Sequence, residues 1–182
     1  MLTRICMAMA LPLLVGQTAP PAGWRSFAPK DDAFTIALPF APMEKKQQIK
    51  APESDGMIDV SLYLCEGVKI GLNDSTIAGT LVVGVSEYPP ALVQGAEEKR
   101  LKHARDGAVQ NAKGKLFHER KIALAGNPGR ELWIDIGEER TLHIRLFAVK
   151  QRLYQTMAVG AKDFIETKEV AAFMDSFKLK KQ

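Results

Sequence analysis

The chain has 182 residues, of which 46% are hydrophobic and 25% are charged, and these values indicate one ordinary globular domain. Such a composition excludes a disordered or low-complexity protein. The net charge of +4 is a small excess spread along the sequence, and it does not indicate a nucleic-acid-binding protein.

The first residues have the three-part order of a secretory signal peptide. Met1 to Arg4 is positively charged, Ile5 to Val15 is apolar, and small or turn-forming residues follow as far as Ala22. The apolar run is too short to cross a bilayer, which needs about 20 residues. We therefore predict a signal peptide and linker over residues 1–22, a single domain over residues 23–182, and a secreted or periplasmic protein with no transmembrane segment in the mature chain. A buried N-terminal helix is the alternative.

Cysteine content limits how the mature domain is stabilised. Loss of the signal peptide removes Cys6 and leaves Cys65 as the only thiol, so the domain has no internal disulfide. Cys65 follows an alternation of apolar and polar residues, and free cysteine is among the most buried residue types. We expect Cys65 to pack in the core.

The first half of the domain reads as strands separated by turns. Short apolar or alternating runs predict strands at four places: Trp24–Phe27, Ala33–Leu38, Ile58–Leu64 and Thr80–Tyr88. Residues 43–56 are polar and are expected to be mobile, with an edge strand over Lys45–Lys50 as the alternative. Residues 67–79 are rich in Gly, Asn, Asp and Ser, and the sequence leaves their structure open.

A helix is predicted from about Val93 to Ala112. Apolar residues recur at steps of three and four between Leu101 and Ala112, which gives a narrow stripe on one helical face. A strand is predicted next at Lys115–Leu124. Asn127-Pro128-Gly129 then predicts a turn, because proline presets one dihedral angle and glycine accepts positive φ.

The register of the next hairpin follows from burial. Two apolar sets alternate along its strands: Leu132, Ile134 and Ile136, then Leu142, Ile144 and Leu146. A three-residue loop at Gly137–Glu139 places both sets on one face, whereas a two-residue loop sets apolar side chains beside polar ones. The preferred register sets Glu131 opposite Arg145 and Trp133 opposite His143.

A third antiparallel strand, Arg152–Val159, leads to the C-terminal helix. This helix is predicted to begin near Asp163 or Thr167, and Asp163 has Glu166 at capping-box spacing. Four apolar residues share one face of the helix and are expected to pack on the sheet: Val170, Phe173, Met174 and Phe177. Lys178-Leu179 is predicted as an edge strand.

Several stretches together carry a resemblance to a known family: Trp24…Phe27, Phe34–Pro39, Pro128–Glu131, Arg152–Tyr154, Val159-Gly160 and Phe173–Leu179. They are similar to the bacterial relatives of the PsbP-like proteins, over most of the chain after residue 23. The resemblance implies an α+β fold, an α/β/α sandwich in which an antiparallel sheet carries helices on its faces. Photosynthetic members are extrinsic assembly and stabilising subunits, and many bacterial members have no assigned role. The resemblance implies no particular binding residue in this chain.

The sequence shows no common catalytic or metal-binding signature. His103, His118 and His143 are far apart, and no closely spaced pair of His or Cys residues occurs. The glycines form no phosphate-binding loop, and the G-x-S-x-G motif of serine hydrolases is missing. We therefore predict no catalytic residue, no metal and no cofactor.

One polar group of residues merits two interpretations. Five residues share the face opposite Leu132 and Ile134 in the predicted hairpin: Glu131, Trp133, Asp135, His143 and Arg145. As a binding or catalytic site, a carboxylate, an imidazole and a guanidinium beside an indole are able to transfer protons or hold an anion. As structure, they are ordinary cross-strand pairs. The structural interpretation is favoured, because no nucleophile or metal ligand lies nearby in sequence.

Two functional hypotheses follow. The leading one is an exported, non-catalytic domain that binds another exported or membrane-associated protein, or stabilises an assembly, and does not bind nucleic acid. The competing hypothesis is a small periplasmic enzyme or ligand-binding protein that uses the face formed by Glu131, Trp133, His143 and Arg145.

Overall fold

The structure is a computed structural model that describes residues 19–31, 33–51, 55–72, 75–93 and 97–180. Most of the predicted signal peptide, residues 1–18, lies outside the described residues and stays a prediction. The described strands, in chain order, are β1 (Arg25–Phe27), β2 (Phe34–Leu38), β3 (Met43–Lys50), β4 (Met57–Leu72), β5 (Ser75–Glu87), β6 (Lys115–Leu124), β7 (Asn127–Asp135), β8 (Arg140–Val149), β9 (Arg152–Ala161) and β10 (Lys178–Leu179). The described helices are α1 (Glu97–Asn111), α2 (Lys162–Ile165), α3 (Lys168–Ser176) and a short 3-10 helix at Pro90–Leu92.

Seven of these strands form one antiparallel sheet in the order β3-β4-β5-β9-β8-β7-β6. Neighbouring strands in the sequence pair as hairpins, and β9 closes the sheet by pairing with β5. Strands β1, β2 and β10 form a second, smaller sheet, with the order β1-β2-β10. Helices pack on both faces of the large sheet, so the predicted α+β fold with an antiparallel sheet is confirmed.

Helix α1 covers one face of the sheet at β7 and β8. Leu101 is fully buried there, and Ala104 and Ala108 follow it at helical spacing and pack against the same cluster. The strands contribute Leu132, Ile134, Leu142, Ile144 and Leu146 to this cluster. The apolar stripe predicted for this helix is confirmed, and the helix begins at Glu97 within the described residues.

The opposite face is covered by α2, α3 and the small sheet. The helices contribute Phe164, Val170, Phe173 and Met174 to this cluster, and all are buried. Phe177, predicted on the same helical face, is the extended C-cap of α3 and is also buried in the cluster. Phe177 stacks parallel to Phe147 of β8 with ring centroids 6.0 Å apart. Thr156 of β9 hydrogen-bonds Met174 Sδ at 3.2 Å. The predicted packing of the last helix on the sheet is confirmed, and its contacts are with β8 and β9.

The polar stretch after β2 is an ordered edge strand. All eight residues of β3 pair with β4, and all eight are exposed. The edge-strand alternative over Lys45–Lys50 is therefore the better description, and the expectation of a mobile stretch over residues 43–56 is wrong for β3. The sequence left the structure of residues 67–79 unassigned. Most of this segment is strand, because β4 and β5 form a long hairpin with an irregularity between Cys65 and Val68.

The turn between β6 and β7 lies two residues before the predicted position. Leu124 pairs with Asn127, and the two residues between them have positive φ, 49° at Ala125 and 82° at Gly126. Two successive positive φ angles match the right-handed twist of a two-residue hairpin. The prediction of a turn at residues 127–129 is wrong, because Pro128 and Gly129 lie within β7.

The start of α3 differs from the capping-box prediction. Thr167 is the N-cap, and its Oγ1 accepts a hydrogen bond from the backbone N–H of Val170 at 3.3 Å. Asp163 lies inside the short α2 instead of capping a helix. Cys65 is fully buried in the core cluster, as predicted.

Candidate functional site

The two C-terminal hairpins set the predicted polar residues in two rows across the sheet. Glu131 lies opposite Arg145 on β8, and Trp133 lies opposite His143. The three-residue loop at Gly137–Glu139 produces this register: the backbone N–H of Ile136 donates to the carbonyl oxygen of Arg140 at 3.1 Å, and the N–H of Arg140 donates to the carbonyl oxygen of Gly137 at 2.9 Å. The predicted register is confirmed.

Edge strand β6 adds a third member to each row. Arg120 pairs with Glu131, and His118 pairs with Trp133. Neither residue belongs to the set chosen from the sequence. The position of the hairpin turn identifies them. The actual turn at Ala125-Gly126 sets Arg120 opposite Glu131, whereas a turn at residues 127–129 would set other residues of β6 there.

Glu131 accepts hydrogen bonds from three side chains on both of its oxygens. Its Oε1 accepts from His143 Nε2 at 2.8 Å and from Arg145 Nε at 2.7 Å, while its Oε2 accepts from Arg120. The carboxylate is 1% exposed. Burial opposes its charge, but the hydrogen bonds from His143 and Arg145 outweigh burial and lower the pKa of Glu131 from 4.5 to about 2.

Arg145 joins this row to the helical layer. Its Nη1 donates to Asp175 Oδ1 of α3 at 2.8 Å. Burial opposes the charge on the guanidinium, but the hydrogen bonds to Glu131 and Asp175 outweigh burial and raise the pKa of Arg145. Asp175 was not predicted from the sequence, because a contact between a helix and a distant strand leaves no local pattern.

Trp133 lies between two histidines. Its ring stacks on the buried His143 at 4.4 Å with an 11° interplanar angle, and it contacts His118 at 4.8 Å in a tilted arrangement. The Arg120 guanidinium lies over the indole at 5.6 Å. His118 and Arg120 are exposed, so the aromatic row runs from the sheet edge into the core.

The chemistry open to this cluster is limited by its geometry. A general base needs an accessible lone pair and a pKa near the working pH, and Glu131 has neither. The cluster is better suited to joining β6, β7 and β8 with α3. In the described ranges, no group of three or more His, Cys, Asp or Glu side chains is arranged to hold a metal ion.

Three clefts on the described surface have volumes of about 530, 330 and 280 Å³. None of them is lined by Glu131, Trp133, His143 or Arg145. The largest of these three lies where the turns β6–β7 and β8–β9 meet the end of β10. The structure thus brings the four predicted residues together, but away from these clefts.

The other edge of the sheet, at β3, has a different surface. The large apolar side chains exposed near this edge are Phe40 (45%), Met43 (54%), Ile49 (41%) and Met57 (45%). Phe40 and Met43 lie at one end of β3, and Ile49 and Met57 lie at the other. Among the described residues, the remaining large apolar side chain with comparable exposure is Phe117, on β6. The polar sequence of residues 43–56 gives no local signal of this surface.

In the described ranges, no helix combines the length and the apolarity needed to cross a bilayer.

Comparisons with known proteins give a likeness in structure. No protein-family model matches the sequence, and no curated protein matches it either. Among solved structures, the protein of unknown function PA94 from Pseudomonas aeruginosa is 11% identical, with a TM-score of 0.43 over 82% of this chain and 91% of that chain. Cyanobacterial PsbP (CyanoP) from Synechocystis sp. PCC 6803 is 14% identical, with a TM-score of 0.52 over 93% of this chain and 99% of that chain. The overlap with the cyanobacterial protein along almost the whole of both chains confirms the resemblance found in the sequence, and this protein has a PsbP-like fold.

Proposed function

We propose that the protein is an exported, non-catalytic domain that binds an extended acidic segment of a partner protein along β3. The observation that carries this proposal is the set of exposed apolar side chains at the two ends of β3. Large apolar side chains that are exposed along the edge of a sheet favour a protein interface there.

The position of β3 suits strand addition. It is the terminal strand of the large sheet, and no strand of the described residues pairs with its outer edge. The outer backbone N–H and C=O groups of such a strand are available to an extended peptide, and pockets for alternate side chains give specificity.

Charge determines which segment fits. β3 carries Lys45, Lys46 and Lys50 and a single carboxylate, Glu44. Lysines on an edge strand repel a second copy of the same strand, which protects against self-association. Lys46 is paired with Glu44 at 3.2 Å and Lys50 with Asp55 at 2.8 Å, so Lys45 is the lysine of β3 that favours an aspartate or glutamate of the partner. The complementary segment is therefore acidic at its centre, opposite Lys45, and apolar at both ends.

Export and the absence of catalysis complete the proposal. The order of charged, apolar and small residues from Met1 to Ala22 supports a signal peptide, so the partner is another exported or membrane-associated protein. The saturated carboxylate of Glu131 supports a role without acid–base chemistry or a cofactor. The competing hypothesis, an enzyme or ligand-binding protein centred on Glu131, Trp133, His143 and Arg145, has less support because two of these side chains are covered.

Selection of peptides from a random linear library tests the proposal. Peptides that bind the purified protein are expected to have acidic centres and apolar ends, and to protect the β3 amides from hydrogen exchange. The variant Lys45→Glu with Ile49→Glu should lose them. The matched control, Lys115→Glu with Phe117→Glu on the opposite edge strand, should retain them. Binding that is lost equally in both variants, or peptides with no acidic preference, would contradict the proposal.

A further inference from the structure

We propose that β3 recognises the side chains of an added strand on one face only, so that the partner segment is specified at every second residue. This inference rests on the function proposed above. The segment runs antiparallel to β3 and has, in order, an apolar, a polar, an acidic and an apolar residue, each separated from the next by one residue of any kind. These specified side chains lie opposite Ile49, Gln47, Lys45 and Met43.

The outward backbone groups of β3 belong to every second residue. The N–H of Ala51 donates to the carbonyl oxygen of Gly56 at 2.8 Å, and this pair continues the unbroken register of β3 and β4. In an antiparallel ladder, residue pairs that exchange hydrogen bonds alternate with pairs that do not. The odd-numbered residues of β3 therefore bond to β4. The residues whose N–H and C=O groups point outward, towards an added strand, are Glu44, Lys46, Gln48 and Lys50.

The odd-numbered side chains of β3 lie on the sheet face where Val60 of β4 is buried. Met43 and Ile49 are exposed at the two ends of this row. Between them, no side-chain hydrogen bond or ion pair joins Lys45 or Gln47 to a described residue. Side chains directly opposite each other on neighbouring strands are close enough to interact. An acidic residue opposite Lys45, an amide or hydroxyl opposite Gln47 and apolar residues at the ends therefore complete this row.

The even-numbered side chains lie on the other face, and their polar groups already have partners within the chain. The three contacts join Lys46 to Glu44 at 3.2 Å, Gln48 to Asp59 at 2.8 Å and Lys50 to Asp55 at 2.8 Å. A partner side chain on this face would have to replace one of these contacts, so it gains little. Met57 is exposed on the same face, but it belongs to β4, one strand further from the partner. The residues of the segment that lie on this face are therefore free to vary.

The direction of the added strand follows from the rest of the sheet. Every described pairing in the large sheet is antiparallel, and parallel pairing is slightly less stable per residue. An antiparallel segment meets Ile49 with its N-terminal apolar residue and Met43 with its C-terminal one. The acidic residue opposite Lys45 is therefore nearer the C-terminal end of the segment.

Three capped peptides of one composition test the inference in NMR titrations of the purified protein. Val-Thr-Gln-Thr-Glu-Thr-Val matches the proposed order, Val-Thr-Gln-Glu-Thr-Thr-Val moves the glutamate to the other face, and Val-Thr-Glu-Thr-Gln-Thr-Val reverses the direction. The matched peptide should shift the β3 amides and bind at least about tenfold more tightly than the other two. Lys45→Gln should abolish this preference, and the control Lys46→Gln should retain it.

N-methylated forms of the matched peptide test the backbone ladder. The N–H of the central threonine faces the outward carbonyl oxygen of Lys46, whereas the N–H of the glutamate points away from β3. Methylation of the threonine nitrogen should weaken binding by about tenfold, and methylation of the glutamate nitrogen should change it little.

The outcomes separate this inference from the function on which it rests. Equal affinity of the first two peptides, tighter binding of the reversed peptide, or no shift of the β3 amides by any of the three overturns the proposed recognition. Docking at β3 stands in each case if the random library still yields peptides with acidic centres that protect the β3 amides. If the library yields none, the proposed function is overturned as well.

Discussion

Glu131 and His143 are joined by a hydrogen bond of 2.8 Å between Oε1 and Nε2, and both side chains are buried. With Arg145 and Arg120, this pair forms an ion cluster that links three strands, and Arg145 extends it to α3 through Asp175. A buried cluster of this kind makes the removal of a single partner costly, because the charges that remain lose their compensation.

Glu131→Ala is expected to reduce the free energy of unfolding by about 3–5 kcal/mol, since it removes the buried carboxylate that His143, Arg145 and Arg120 share and leaves Arg145 with Asp175 alone. Urea denaturation measures the change. His143→Ala should cost less, because two arginines still compensate the carboxylate of Glu131. If the two variants lost the same free energy of unfolding, the claim that the Glu131 carboxylate compensates the positive charges of this cluster would be wrong.

The dependence of stability on pH provides a second test. The pKa of Glu131 is about 2 in the folded protein and has an ordinary value of 4.5. A carboxylate with a lowered pKa stabilises the folded state fully above its unfolded pKa, and loses that contribution as pH falls through the folded value. The stability difference between the wild type and Glu131→Gln should therefore be largest above about pH 5 and shrink towards about pH 2. A difference that stays constant over this range would contradict the assignment.

The register of this cluster was predictable from the sequence, but its full membership was not. Alternating apolar residues on β7 and β8 require a three-residue loop, and that loop alone sets Glu131 opposite Arg145. Arg120 was missed because proline and glycine at residues 128 and 129 resemble a turn. The actual turn includes Ala125 with positive φ, which is uncommon for a residue with a side chain.

Tertiary contacts set the other limit on prediction. The apolar face of α3 was evident from helical spacing, whereas the ion pair between Arg145 and Asp175 depends on how that helix lies on the sheet. The exposed edge β3 was underestimated for a related reason. Its eight residues have little apolar alternation, and its strand conformation comes from pairing with β4.

Phe173→Ala is expected to cost about 3–5 kcal/mol of unfolding free energy, because Phe173 is fully buried between α3 and the sheet. Chemical denaturation provides the measurement. Phe117→Ala is a matched control that removes the same atoms from a side chain that is 58% exposed, and it should be nearly neutral. If both variants lost the same stability, the docking of α3 on the sheet would be wrong.

Gly79→Ala should destabilise the protein by about 1–3 kcal/mol through overpacking. Gly79 faces Gly160 across β5 and β9, and the buried ring of Phe164 lies over both. A Cβ on Gly79 would overlap this ring, and a Cβ on Gly160 would lie 2.7 Å from its Cδ1.

A double-mutant cycle isolates this contact. In a Phe164→Ala background, the cost of Gly79→Ala should largely disappear, because the ring is no longer there to overlap. Gly107→Ala is the control, since its Cβ meets no atom within 4 Å in α1, and it should stabilise the protein by up to about 1 kcal/mol. Additive costs for Gly79→Ala and Phe164→Ala would contradict the packing described.

Photo-crosslinking inside cells of the source organism tests the central claim, that β3 is a docking edge. A photoreactive amino acid is placed at Ile49 on β3, or at Phe117 on β6 as the control, and the crosslinked peptides are sequenced by mass spectrometry. Crosslinks from position 49 are expected to reach one acidic segment with apolar ends in another exported or membrane-associated protein, and Lys45→Glu should abolish them. Crosslinks that arise equally from both positions, or that join position 49 to a second copy of this chain, would contradict the account.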